Sequence, residues 1–257
     1  MIANPPDLSW YTSYTNTTPS EAEDRIQTTY ARTAPSHHVY KCIQNHQFAT
    51  PRGCLHPLYD SLKPRFKAGE SVLELGCCFG TDARRFVQDG VDVTKLVVSD
   101  LHDAYFRIGG EVLYSGDTAL DGVGEWWGDL AVLGAAEKAG LKGRFGIVSA
   151  QAILHVLSKG QVAAFLRECL ACLQSGGVLY GMCVGSRVEG EWGVVPTKGL
   201  EELGREVSPR YLHSRESLEG LLRGVGFSDV VVNAVERGEG EDGRVMAHLI
   251  FSGKREQ

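Results

Sequence analysis

The stretch "SVLELGCCFGTDARRFVQDG" (residues 71–90) holds a carboxylate, Glu74, just before a loop that begins at Gly76 and closes at Gly80. An apolar run, a glycine loop and then a helix together aim backbone amides at whatever lies beyond the strand. A second carboxylate, Asp100, ends the next apolar run, at the distance where an acidic side chain takes both hydroxyls of a ribose. A dinucleotide loop would need glycine at 76, 78 and 81, the second so that backbone approaches the pyrophosphate and the third to pack helix on strand. Those positions read Gly76, Cys78 and Thr81, so Cβ atoms stand where phosphate would lie. The loop suits a nucleoside ligand that lacks a pyrophosphate.

S-adenosylmethionine is such a ligand, an adenosine joined to a sulfonium amino acid. Its ammonium and sulfonium suit Glu74, and its ribose suits Asp100. Asp129 and Leu130 follow a third apolar stretch, placed for the adenine amino group and ring face. Cys77 and Leu101, beside the loop and Asp100, and Ser149, on the fourth strand, complete the expected cofactor contacts with Gly76 and Gly80. His155 comes after the fourth strand, where the transferred methyl should point, and is the candidate catalytic residue. Plainer readings stand beside these: Asp100 and Asp129 as turn residues, His155 as a satisfied structural histidine. Cys77 and Cys78 read as packing residues, because transfer from a sulfonium needs no covalent intermediate. Cys169 and Cys172 form a C-x-x-C, but on an apolar helix stripe with no second ligand pair, so no metal site is expected. Arg52, His56, Tyr59, Arg187 and Trp192 lie in segments beyond the minimal fold, residues 1–60 and 186–212. They are candidates for an aromatic and basic acceptor pocket. His37 and His38 read as surface residues.

The elements that must position these residues alternate. "SVLEL", "KLVVSD", "WWGDLAVL", "RFGIVSA" and "GGVLYGMCVG" read as strands, with helices between them. Val162, Phe165, Leu166, Cys169, Leu170 and Leu173 share one helix face, as do Leu218, Leu221, Leu222 and Val225 behind a Ser214 cap. "DVVVNAVE" and "RVMAHLIFSG" make a terminal hairpin. The fold class expected is α/β: a doubly wound, mostly parallel seven-stranded sheet with a C-terminal antiparallel hairpin and an N-terminal helical cap. Residues 1–60 form the cap and 61–257 the cofactor-binding core, as one domain. Within the cap, Ser20 and Glu23 read as a capping box opening a helix, and "HVYKCIQNHQF" as a second helix. A formal net charge of −6 argues against nucleic acid as a partner. No apolar run spans a membrane, the N-terminus lacks the pattern of a signal peptide, and seven cysteines without scaffold spacing suit a reducing compartment. A cytoplasmic protein acting on a small molecule is expected, with no assignment of oligomeric state.

"VLELGCCFGTDARRFVQDG", "VVSD" and "LQSGGVLYGMC" resemble a class I S-adenosylmethionine-dependent methyltransferase. "YKCIQNHQFATPR", "HPLY" and the Gly-Cys-Cys-Phe-Gly loop are similar to small fungal methyltransferases of meroterpenoid and related natural-product biosynthesis. The likeness runs over roughly residues 40–185. It implies Glu74, Gly76, Gly80 and Asp100 as cofactor contacts, and methyl transfer to an oxygen, more often a carboxylate than a phenol. It reaches His155 loosely, since His155-Val156-Leu157 departs from the family's His-Leu-Phe. Two other readings stay open: a methyltransferase-fold regulator acting through a protein partner, and a dinucleotide-dependent oxidoreductase, which the loop disfavours.

Overall fold

The computed structural model describes residues 7–35, 37–194, 209–240 and 242–256. Strands β1 (Val72–Leu75), β2 (Leu96–Asp100), β3 (Gly124–Trp127), β4 (Phe145–Gln151) and β5 (Leu173–Ser186) run parallel. A two-stranded unit of β6 (Gly190–Val194) and β7 (Pro209–Leu212) stands apart from the main sheet. Strands β8 (Ser228–Glu239) and β9 (Val245–Lys254) form the terminal hairpin, and β9 pairs antiparallel with β5. The main sheet therefore has seven strands in the order β3-β2-β1-β4-β5-β9-β8. The chain order reverses between β1 and β4, so the loop after β1 opens into the crevice where such sheets bind ligands.

Nine α-helices are present among the described residues: α1 (Ser9–Thr15), α2 (Pro19–Thr33), α3 (Lys41–Gln44), α4 (Tyr59–Lys67), α5 (Thr81–Gln88), α6 (Ala104–Ile108), α7 (Ala135–Lys138), α8 (Lys159–Cys172) and α9 (Arg215–Val225). β1 and β4 are buried along their whole length, which is why they read as unbroken apolar runs rather than alternating ones. Leu73, Val148 and Leu179 point into a core shared with α8 and α9, while Val72, Ile147 and Val178 meet α4 and α5 on the other face.

The cap closes a third core. Tyr11, Ile26, Ile43 and Phe48 pack with Phe79 of the glycine loop and with Tyr105, Leu113 and Tyr114. Gly109 lets the α6 backbone lie against that loop, because a Cβ there would collide with the Phe79 carbonyl oxygen.

Two details of the cap differ from expectation. The capping box is Thr18 with Glu21 rather than Ser20 with Glu23, since Pro19 fits the first helical position and moves the start back. The helix expected over "HVYKCIQNHQF" is one turn, α3, followed by a 3₁₀ turn; His46, at φ 56, breaks it. The β6–β7 unit, which the sequence did not announce, occupies part of the 186–212 segment; residues 195–208 of that segment lie outside the described residues.

Candidate active site

Gly76, at φ +67, turns the chain out of β1, and Cys78, at φ 50, takes the left-handed conformation that non-glycine residues rarely adopt. The loop is held to the end of β2 by two bonds. Cys77 N–H donates to the Ser99 carbonyl at 3.0 Å, and Cys78 N–H to Asp100 Oδ2 at 3.0 Å. Asp100 Oδ1 accepts from its neighbour Leu101 N–H at 2.7 Å. Each Asp100 oxygen thus carries one backbone bond and keeps capacity for a further donor, such as a ribose hydroxyl. Burial pushes the Asp100 carboxyl up, opposed by those two backbone bonds. Gly80, at φ +76, caps α5.

Glu74 is 3% exposed, and its Oε2 has no hydrogen-bond partner among the described residues. Burial pushes its carboxyl well above the ordinary range, with the nearby charges of Asp82 and Asp100 acting in the same direction. A buried carboxylate with an open oxygen, beside two more carboxylates, fits a ligand bearing an ammonium and a sulfonium. Burial likewise raises the Cys77 and Cys78 thiols well above their usual range, so both are protonated packing groups at neutral pH.

The cleft over this loop is lined by Gly76, Cys78, Asp82 and Gln151, and from the cap by Cys42, Gln47 and Arg52. Asp82 holds the cap there: its Oδ1 accepts from Arg52 N–H at 2.7 Å and from Gly53 N–H at 2.8 Å. Thr81 Oγ1 donates to the Phe48 carbonyl, and the Phe48 and Phe79 rings lie 4.6 Å apart. The cap is thereby a wall of this cleft.

His155 lies on a 3₁₀ turn, Leu154–Val156, after β4. Its Nδ1 accepts from Val184 N–H at 3.4 Å. Burial, and then the positive charges of Arg52 and Arg210 and of His248, lower its pKa to about 3. The imidazole is neutral at physiological pH, and with Nδ1 accepting, its proton sits on Nε2.

The other expected residues fall in different places. Asp129 follows β3 and its Oδ1 accepts from Ala131 N–H at 2.8 Å, while Leu130 is buried in the core under α8. Ser149 is fully buried and accepts from Gln151 Nε2, whose Oε1 takes Met182 N–H, so Ser149 braces Gln151. His56 is buried between Leu58 N–H and the Phe251 carbonyl, and Tyr59 donates to Asp89 Oδ2. Arg187 is ion-paired with Glu236 on the exposed surface at 2.6 Å. These three are tied to structural partners away from the cleft. Trp192 lies under the Arg210 guanidinium, 4.5 Å from carbon to ring centroid. His37 and His38 are half-buried, contrary to the surface placement expected, since their rings pack on Tyr105 and Tyr40. Cys169 and Cys172 are buried in the α8 core, and among the described residues no cluster of His, Cys, Asp or Glu could hold a metal. Gln151 and Arg210 were not singled out from the sequence. Gln151 sits one residue beyond a plain apolar strand motif, and Arg210 follows a long segment with no periodic pattern.

No family model matches the chain. It is 25% identical over 211 residues to methyltransferase trt5 of Aspergillus terreus, covering 81% of this chain and 72% of that one. To the asnovolin E/chermesin D methyltransferase nvfJ of Aspergillus novofumigatus it is 36% identical over 70 residues, or 27% of this chain and 25% of the relative, so that match spans a quarter of its length. In fold it is similar to the 1,6-didemethyltoxoflavin N1-methyltransferase of Burkholderia thailandensis, solved with S-adenosylhomocysteine. That likeness has a TM-score of 0.52 at 14% identity, and it covers 94% of this chain and 92% of that one. Among the described residues no helix is long and apolar enough to cross a membrane. In sequence and in fold the chain fits a class I S-adenosylmethionine-dependent methyltransferase of the fungal natural-product type.

Proposed function

We propose that the chain transfers the methyl group of S-adenosylmethionine to an oxygen of a small acidic metabolite, a carboxylate rather than a phenol. The bound cofactor supplies an electrophilic methyl on a sulfonium. Glu74 would face its ammonium, Asp100 its ribose, and Asp129 with the Leu130 backbone its adenine. The chain's own part is then to hold the acceptor in line and exclude water, and orientation of this kind lowers a barrier by on the order of 7–11 kcal/mol.

The observation that carries the choice of acceptor is His155. A side chain held near pKa 3 is a poor base for a phenol of pKa about 10, and its basic nitrogen already accepts from Val184. Its Nε2–H is a donor, suited to positioning an oxygen that is already ionised. A carboxylate, with pKa near 4, needs nothing more at neutral pH. A regulator that binds the cofactor without turnover is the less favoured reading, since every named relative above is a methyltransferase.

The test is a mass-spectrometric screen of natural-product acids and phenols with the purified protein and S-adenosylmethionine. Products gaining one methyl as esters support the proposal. Methylation confined to phenols, or to nitrogen or carbon, refutes the acceptor, and binding without turnover across the panel favours the regulator.

A further inference from the structure

We propose that Arg210, on the β6–β7 unit and acting with Arg52 of the cap, anchors the anionic group of the acceptor beside His155 and makes the site selective for acids. The inference rests on the reading of this cleft as a methyl-transfer site and adds the residues that choose the acceptor.

Arg210 is half-buried, with its guanidinium on the face of Trp192 and the hairpin backbone close by: a Cβ at Gly193 would lie 3.1 Å from its terminal nitrogen. Its Nε is buried and has no hydrogen-bond partner among the described residues. A buried Nε–H donor left without an acceptor is costly unless an anion completes it, and the planar fork of the guanidinium matches a carboxylate. Burial also lowers its pKa, the sign of a cation short of counter-charge.

Its position fits the role. Tyr211 N–H, one residue on, donates to the Leu157 carbonyl at 2.9 Å, which places β7 against the turn bearing His155. The Arg210 charge bears on His155 from that side and on His38 of the cap from the other. Arg52 lines the cleft over the glycine loop, and its charge also acts on His155. Among the described residues neither arginine has a carboxylate ion pair, whereas Arg84, Arg85, Arg107 and Arg187 all do. The charges of two arginines on separate elements thus act on one neutral imidazole donor, in a chain whose net charge is −6. An acid entering here meets two cations and an N–H, while the uncharged form of the same molecule leaves the guanidinium of Arg210 uncompensated.

The experiment uses the full chain saturated with S-adenosylhomocysteine and two probes of one shape, 2-naphthoate and 2-naphthamide, titrated by calorimetry. Wild type should bind the acid at least tenfold more tightly than the amide. Arg210→Gln should remove most of that preference, Arg210→Lys should keep part of it, and Arg223→Gln, on the outer face of α9, should leave it unchanged. S-adenosylhomocysteine affinity, measured on each protein first, shows that the variants are folded. Equal binding of acid and amide by wild type, no naphthoate binding, or a preference that survives Arg210→Gln would each overturn the inference. If S-adenosylhomocysteine itself fails to bind wild type, the methyltransferase reading falls with it; if it binds and only the preference is absent, this inference alone falls.

Discussion

A carboxylate buried with an open oxygen costs stability until a cation meets it, and Glu74 is in that position. Its pKa is raised in the folded chain, so ionising it opposes folding: stability is lost as pH rises from the unfolded-chain value through the raised one. Binding of a cationic cofactor has the opposite dependence and weakens as pH falls through that raised pKa. Glu74→Gln should therefore raise the melting temperature of the cofactor-free protein at pH 7, by about 2–4 °C for each kcal/mol recovered. It should weaken S-adenosylmethionine by roughly 1.5–3 kcal/mol, the scale of a bond to a charged group. A thermal scan and a titration check the pair; loss of stability with unchanged affinity would remove Glu74 from the cofactor site. At His155 the direction is equally definite. With a pKa near 3, its protonation produces no acid limb between about pH 6 and 9, and His155→Gln should keep activity within about tenfold. A fall of 10²–10⁴-fold in the variant would mean that it is a general base after all.

At the scale of elements, the cap is built into the cleft over the glycine loop. Removing the Asp82 side chain strands the Arg52 and Gly53 amides and frees the segment that lines the cleft. Asp82→Ala should destabilise the protein by about 1.5–3 kcal/mol or more in urea unfolding, and should weaken the cofactor by loosening the wall of the cleft that Asp82 lines. Deleting residues 1–40 should do the same more severely, by exposing Tyr105, Leu113 and Tyr114; a truncated chain of normal stability and cofactor affinity would contradict this. Such ties were hard to see in advance. Asp82 reads locally as a first-turn acid complementing the helix dipole, and only the folded chain brings Arg52 and Gly53 to it. β1, β2, β4 and β5 were legible because strands buried on both faces must be continuous apolar runs. The start of α2 was displaced because Pro19 outranks Ser20 as a signal. Nothing local marks β7, so Arg210, whose charge reaches His155 only in the folded chain, was missed, while Arg187 and His56 were credited for residue type alone.

For the whole molecule, topology opens a crevice at the carboxyl ends of the central strands. The reversal between β1 and β4 opens the crevice, the terminal hairpin covers β5 and, among the described residues, contributes nothing to the cleft lining, and the cap walls it from the N-terminal side of the sequence. The chain's negative charge does not steer an acid from afar, since surface charges are screened beyond about 8 Å at physiological salt. Selection is local. The central claim is that the Gly76–Gly80 loop with Glu74 and Asp100 holds S-adenosylmethionine and excludes a pyrophosphate. Calorimetry of the intact protein with S-adenosylmethionine, S-adenosylhomocysteine and NAD, repeated on Asp100→Ala, tests it most directly. The first two should bind and NAD should not, with Asp100→Ala weakening both by roughly 1.5–3 kcal/mol. Tighter binding of NAD, or S-adenosylmethionine binding untouched by the loss of Asp100, would contradict it.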